Sequence, residues 1–254
     1  MNQKQSILLS IGAVIIMLVL YFASERGMFG DNPVGQTGSY NEPLVVPAGY
    51  AFAIWGIIYL GIIALPIYHW IKRQEGHELW IPFRYWFSLN VICNGLWLAF
   101  ASMDWLWTTV GIILVMLVSL YQMRILLKRM QVDEVQLSYW FEQFVVHIYF
   151  AWITLATALN ISAALNFYQW SGFGISELTW ALIILPIAAI IAGLVFRKFR
   201  DRAYALVVVW AFVALFIKHI DSYPSIAYLG VAVVVIFSVI AILGNRKPEL
   251  AEMG

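Results

Sequence analysis

Residues 149–160 read YFAWITLATALN, and the fold turns on where this stretch sits. It is apolar except for Thr154, Thr157 and Asn160, and it lies in a predominantly apolar run from 139 to 165. A helix crosses the hydrocarbon with about 20 such residues, so the run is long enough to span. An asparagine inside it finds no hydrogen-bonding partner in lipid and has to face other protein. The rest of the chain has the same character. Of 254 residues, 63% are hydrophobic and 11% charged, against about 25% charged in ordinary soluble domains. Mean hydropathy is +0.83, and a water-soluble fold is excluded. The net charge of +1 comes with no basic stripe, so no nucleic-acid partner is expected. The single cysteine, Cys93, rules out an intrachain disulfide and a thiolate metal cluster. Inside its apolar run it reads as a small buried hydrophobe.

Eight stretches reach or approach spanning length: about 6–24, 47–71, 83–102, 104–127, 139–165, 176–196, 203–219 and 225–244. The breaks carry charges and turn-formers, as in RQEGHELWIP, KRMQVDE, RKFRDR and DSYPS. The expectation is an all-α integral membrane protein of eight transmembrane helices in contact with the lipid bilayer. Lys4 ahead of the first apolar run has the look of a signal peptide, but Phe22 fills the position before Ala23-Ser24 that cleavage wants small, so an uncleaved first span is expected. With the N-terminus in the cytoplasm, all of the 15 lysines and arginines except Arg26 and Lys218 fall on the inner side, Arg84 included. Seven spans would put Arg246 and Lys247 outside, so the positive-inside rule favours eight spans with both termini cytoplasmic, in a bacterial cytoplasmic membrane. The segment 25–46, rich in Gly, Pro and Asn, then becomes an external loop lying as an irregular flap over the helices.

Several side chains do not belong in lipid. Asn90 and Asn94 share one face of the third span, and Glu142, His147 and Asn160 lie on the fifth. Such groups face the bundle interior or a cavity, with helix–helix bonding the plainer role for the asparagines. Glu142, about one turn from its helix end, reads as snorkelling to the interface, as does Lys218. His147 is deeper and reads as a hydrogen-bonded structural residue, a haem ligand or a proton carrier. No His, Cys, Asp and Glu set has metal-ligand spacing, and no nucleophile elbow, P-loop or dinucleotide fingerprint marks a soluble enzyme. Of the 12 tryptophans, Trp70, Trp80, Trp105, Trp107, Trp140 and Trp170 fall near helix ends as an aromatic belt. Trp55, Trp97, Trp152 and Trp210 lie within spans.

Depth brings some of these together. Trp55 is eight residues inward from Pro47; Trp97 and Asn94 are five and eight inward from Ser102; Asn160 is five inward from Leu165. At about 1.5 Å per residue, three helices place aromatic and amide groups in the outer half of the membrane. Apolar walls with a few convergent polar groups suit a small hydrophobic ligand, and indole and phenol rings suit a planar aromatic one.

Residues 1–166 resemble the TspO/translocator-protein family, the tryptophan-rich sensory proteins. Three motifs carry the resemblance: PAGYAFAIWGIIY at 47–59, NGLWLAF with Asn94, Trp97 and Phe100, and the opening YFAWITLATALN. The last matches the family's fifth-helix signature in residue type and spacing. The resemblance implies a five-helix bundle over 1–170, with its cavity capped by the loop 25–46 and lined by Trp55, Tyr59, Asn94, Trp97, Phe100, Tyr149, Trp152 and Asn160. It implies porphyrin or haem as the ligand, with no obligatory cofactor and no metal beyond His147 as a haem ligand. In bacterial members it also implies light-dependent porphyrin breakdown, in which Trp55 and Trp152 would take part. The chain departs from the family pattern in three places. It is one residue shorter between Phe52 and Trp55, which turns one of the two out of the site. Ile148 stands where a proline precedes the tyrosine, and the loop before Pro47 lacks Lys-Pro-x-Trp. Residues 171–254 then add a three-helix extension that covers a face of the bundle or stands in for a homodimer partner. The expected function is a membrane-embedded binding or sensor protein rather than an enzyme. A secondary transporter using Glu142 and His147 for protons is the alternative.

Overall fold

In a computed structural model, residues 2–30, 42–72 and 76–243 are described. Of the expected external loop, 31–41 lies outside these residues, as do Arg73, Arg246 and Lys247 from the charge reading. Among the described residues every regular element is helical: α1 (Gln3–Glu25), α2 (Ile54–Lys72), α3 (Trp80–Ser102), α4 (Leu106–Val132), α5 (Val145–Phe167), α6 (Glu177–Phe199), α7 (Arg202–His219) and α8 (Pro224–Leu243). Their bounds follow the eight expected spans closely, because apolar runs of this length have no other stable form in hydrocarbon. Seven of the helices are long and apolar enough to cross a membrane, α2 together with the 3₁₀ turn before it and α5 with the π-helical turn before it. The remaining one, α3, has 23 residues, and its buried Arg84, Ser88, Asn90 and Asn94 make it more polar than the others. The chain is an integral membrane protein.

The ends of the helices are set locally. Asn2 caps α1 by accepting from the Gln5 amide at 2.9 Å, while Gln5 Oε1 accepts from the Asn2 amide at 2.9 Å. Ser176 and Asp201 cap α6 and α7, and α8 begins on Pro224, where a missing N–H costs nothing.

The chain divides into two compact units, one of 1–43 with 53–171 and one of 44–52 with 172–254. In the first, α1 packs on α3, α3 on α4, α4 on α5, α5 on α2 and α2 on α1, closing a ring of five helices. At Gly95 an added Cβ would lie 3.0 Å from the Met17 Cα and from a Leu20 methyl, so only glycine lets α3 approach α1 this closely. Asn90 Nδ2 donates to Met116 O at 3.0 Å and Ser119 Oγ at 2.8 Å, joining α3 to α4 as expected of a bundle asparagine. In the second unit, α7 packs along α8, and at Gly230 a Cβ would come within 3.1 Å of Phe212 O.

Two residues depart from the sequence expectation in the first unit. Arg84 and Glu142 are both fully buried rather than interfacial. Arg84 Nε donates to His69 Nδ1 at 3.2 Å, and its Nη1 donates to Gln3 Oε1 at 2.7 Å and Ser6 Oγ at 3.1 Å. His69 Nε2 lies 3.0 Å from Glu142 Oε1, and the Ser138 amide donates to Glu142 Oε2 at 2.6 Å. A guanidinium can only donate, so His69 Nδ1 is the acceptor and Nε2 carries the proton toward the carboxylate. A neutral imidazole thus relays between a buried cation and a buried anion, tying α1, α2 and α3 to the approach to α5. Glu142 reaches inward because it lies in a π-helical turn, Tyr139–Phe144, where the Gln143 amide bonds back five residues to Ser138 O. Its carboxylate lies against His69 of α2.

Two stability outcomes follow from this packing. Gly95→Leu is expected to lower stability by about 1–3 kcal/mol through overpacking of α1 against α3, read as a lower thermal midpoint in detergent; an unchanged midpoint would show that the two helices do not need the contact. Glu142→Ala is expected to cost about 3–5 kcal/mol, because it strands the His69 N–H and the Arg84 charge. Glu142→Gln, which keeps an acceptor oxygen, is expected to lose clearly less in the same measurement, and equal losses would contradict the relay.

Candidate functional site

Helices α2, α3 and α5 each present a face to the interior of the five-helix ring. On α2, Trp55 and Tyr59 are one turn apart and stack, with centroids 5.3 Å apart at 22°. On α5, Tyr149 and Trp152 are buried. The Trp55 ring meets them edge-on, 5.8 Å from Tyr149 and 6.5 Å from Trp152. Tyr21 of α1 adds an edge contact to Tyr59 at 6.1 Å. Edge-to-face and offset stacks at these distances are the favoured arrangement of aromatic quadrupoles.

The amide of Asn94 completes the cluster from α3. Its Nδ2 donates to the Tyr149 hydroxyl at 2.9 Å. Asn94 is 2% exposed, and its Oδ1 has no donor among the described residues. Trp97, one turn on along the same face, is half-buried, and its buried Nε1 has no acceptor among them. One turn apart on α3, a buried acceptor and a buried donor each carry the desolvation cost of an unmade hydrogen bond.

The structure brings Trp55, Tyr59, Asn94, Tyr149 and Trp152 together in one contact group, with Trp97 beside Asn94. Phe100 and Asn160 are engaged elsewhere. Phe100 packs on Trp105 with centroids 5.5 Å apart. Asn160 Oδ1 accepts from Thr109 Oγ1 at 3.1 Å, joining α5 to α4. It lies eight residues beyond Trp152, about 12 Å along the helix, so depth matching alone placed it too near the rings. Of the two aromatics flanking the shortened spacing on α2, Trp55 turns into the ring cluster, while Phe52 is 39% exposed.

His147 is buried at 6% exposure, and its Nε2 hydrogen-bonds the Arg124 guanidinium of α4. Two residues from Tyr149 it lies about 200° away around the helix, on another face from the aromatic cluster. The described residues contain no group of three or more His, Cys, Asp and Glu able to hold a metal.

Sequence reading missed Tyr21 and the Asn94–Tyr149 bond as parts of this geometry. Tyr149 was visible through its motif, but its partner 55 residues away in sequence was not.

Comparison with known proteins agrees with this layout. The pattern of the TSPO-like protein family matches residues 7–243, from α1 to the last residue of α8. No curated protein matches significantly, and no solved structure does. The match extends over the three C-terminal helices as well as the five of the ring. On a match over this much of its length, the chain belongs to the TSPO-like protein family, membrane proteins of the binding and sensor kind.

Proposed function

We propose that the protein binds a planar hydrophobic ligand of the tetrapyrrole class, porphyrin or haem, on the aromatic cluster of α2, α3 and α5. The observation that carries this reading is a pair of buried polar atoms one turn apart on α3, Asn94 Oδ1 and Trp97 Nε1, without partners among the described residues, with Asn94 bonded to Tyr149 of the four packed rings. A free-base porphyrin supplies what both lack, a pyrrole N–H for the amide oxygen and a carboxylate for the indole N–H; haem, whose ring nitrogens are bound to iron, supplies the carboxylate alone. Both supply a large flat apolar face for Trp55, Tyr59 and Trp152. Binding on these terms needs no metal and no further cofactor.

In this reading the ligand is held by stacking and, for the free-base porphyrin, two hydrogen bonds, in a bacterial cytoplasmic membrane with both termini in the cytoplasm. Binding serves sensing. Light-driven breakdown of the porphyrin is a second reading, favoured by one observation: Trp55 and Trp152 touch, with centroids 6.5 Å apart, so two oxidisable indoles would lie against one ligand. Product formation that needs both light and oxygen, and that falls in Trp55→Phe, separates it from binding alone.

Titration of the purified protein with protoporphyrin IX is expected to quench tryptophan fluorescence. Asn94→Ala and Trp152→Ala are each expected to weaken binding by about tenfold, the size of one lost hydrogen bond or ring contact. Asn160→Ala, which alters the α4–α5 contact instead, is expected to bind like the parent. Affinity unchanged in both Asn94→Ala and Trp152→Ala would remove the site.

A further inference from the structure

In the second unit, residues 44–52 form a short strap with little regular structure of its own before the 3₁₀ turn Gly49–Ala53. Buried backbone groups outside a helix or sheet must find other partners, and here α7 provides them. Trp210 Nε1 donates to Ala51 O at 3.0 Å. The Ala48 amide donates to Ala214 O at 3.3 Å. Lys218 Nζ donates to Val46 O at 3.0 Å, and His219 Nε2 lies 2.8 Å from Leu44 O. Glu177, in the first turn of α6, accepts from the Leu44 amide at 3.1 Å. Lys218 is therefore a tether and not an interfacial snorkel.

The order of these contacts matters. Positions 210, 214 and 218 are spaced by four and make one stripe along α7. They meet 51, 48 and 46 in turn, so the strap runs antiparallel to the helix. Tyr50 closes the upper part, edge-on to Trp210 with centroids 5.2 Å apart at 80°. Val45 and Ala51 are buried. Nearly all the groups recognised on the strap are main-chain atoms, so the grip sets the path of the backbone and not the identity of its side chains.

We infer that α7, with Glu177 of α6, is a clamp whose role is to fix the path of the strap. Trp210, Lys218 and His219 are positioning residues in this arrangement.

Hydrogen–deuterium exchange on the purified full-length chain tests this without a ligand. In the parent, peptides covering 44–57 are expected to be protected like those of α7; exchange at the rate of an unstructured peptide would overturn the inference. In Trp210→Phe combined with Lys218→Met, those peptides are expected to exchange about tenfold faster, with α7 and α8 unchanged. Lys218→Arg, which keeps a donor, is expected to stay at the parent rate. No change in the double variant, or an equal rise across 44–57, α7 and α8, would overturn it. Protoporphyrin IX titration of the same proteins keeps the two readings apart, since a parent that does not bind removes the proposed ligand and leaves the exchange result to decide the clamp.

Discussion

Hydrocarbon offers no hydrogen bonds, and that one constraint organises this protein. A helix satisfies its own backbone, but every buried side-chain polar atom and every irregular stretch of main chain has to be matched from within the protein. The Arg84–His69–Glu142 relay shows how demanding this is. Burying a guanidinium alone costs far more than the fold can supply. Matching it takes a carboxylate on another helix, an imidazole between them and two acceptors from α1. Bonds spanning up to 81 positions in sequence thereby fix four segments in register at one end of the ring.

With that end fixed, the interior farther along α2, α3 and α5 is free to serve something other than stability. Asn90 and Asn94, one turn apart on α3, show the difference. The Asn90 amide nitrogen is matched twice by α4, which is what an asparagine retained for packing does. Asn94 bonds Tyr149 through its nitrogen and leaves its oxygen buried and unmatched. An unmade hydrogen bond of that kind costs about 1–3 kcal/mol. This contrast between two asparagines on one helix is what the proposed ligand site rests on.

The sequence made the eight helices legible because each is a single local signal, an apolar run bounded by charges or turns. It also made the ring residues legible, since motif pointed to Trp55, Asn94, Tyr149 and Trp152, and depth to Trp55 and Asn94 as well. What it hid were the long-range matches. Glu142 read as interfacial because it stands near a helix end, and only the π-helical turn, with its five-residue backbone bond, turns the carboxylate inward. Arg84 read as one more inner-side charge for the same reason. His69 drew no attention at all, since nothing about a histidine near the end of an apolar helix tells which residues 15 and 73 positions away will meet it. The Thr109 partner of Asn160, 51 positions away on α4, was hidden in the same way.

The strap extends the same reasoning to main chain. A helix preceded by irregular backbone leaves peptide groups to match before its own hydrogen bonds take over, and side chains of the loop itself are poorly placed to do it. Donors spaced every four residues on a packed helix are well placed, and α7 presents Trp210 and Lys218 in that spacing with a main-chain acceptor at Ala214 between them. The spacing was present in the sequence all along, but it gained meaning only when its partners proved to be residues 44–51 and not lipid.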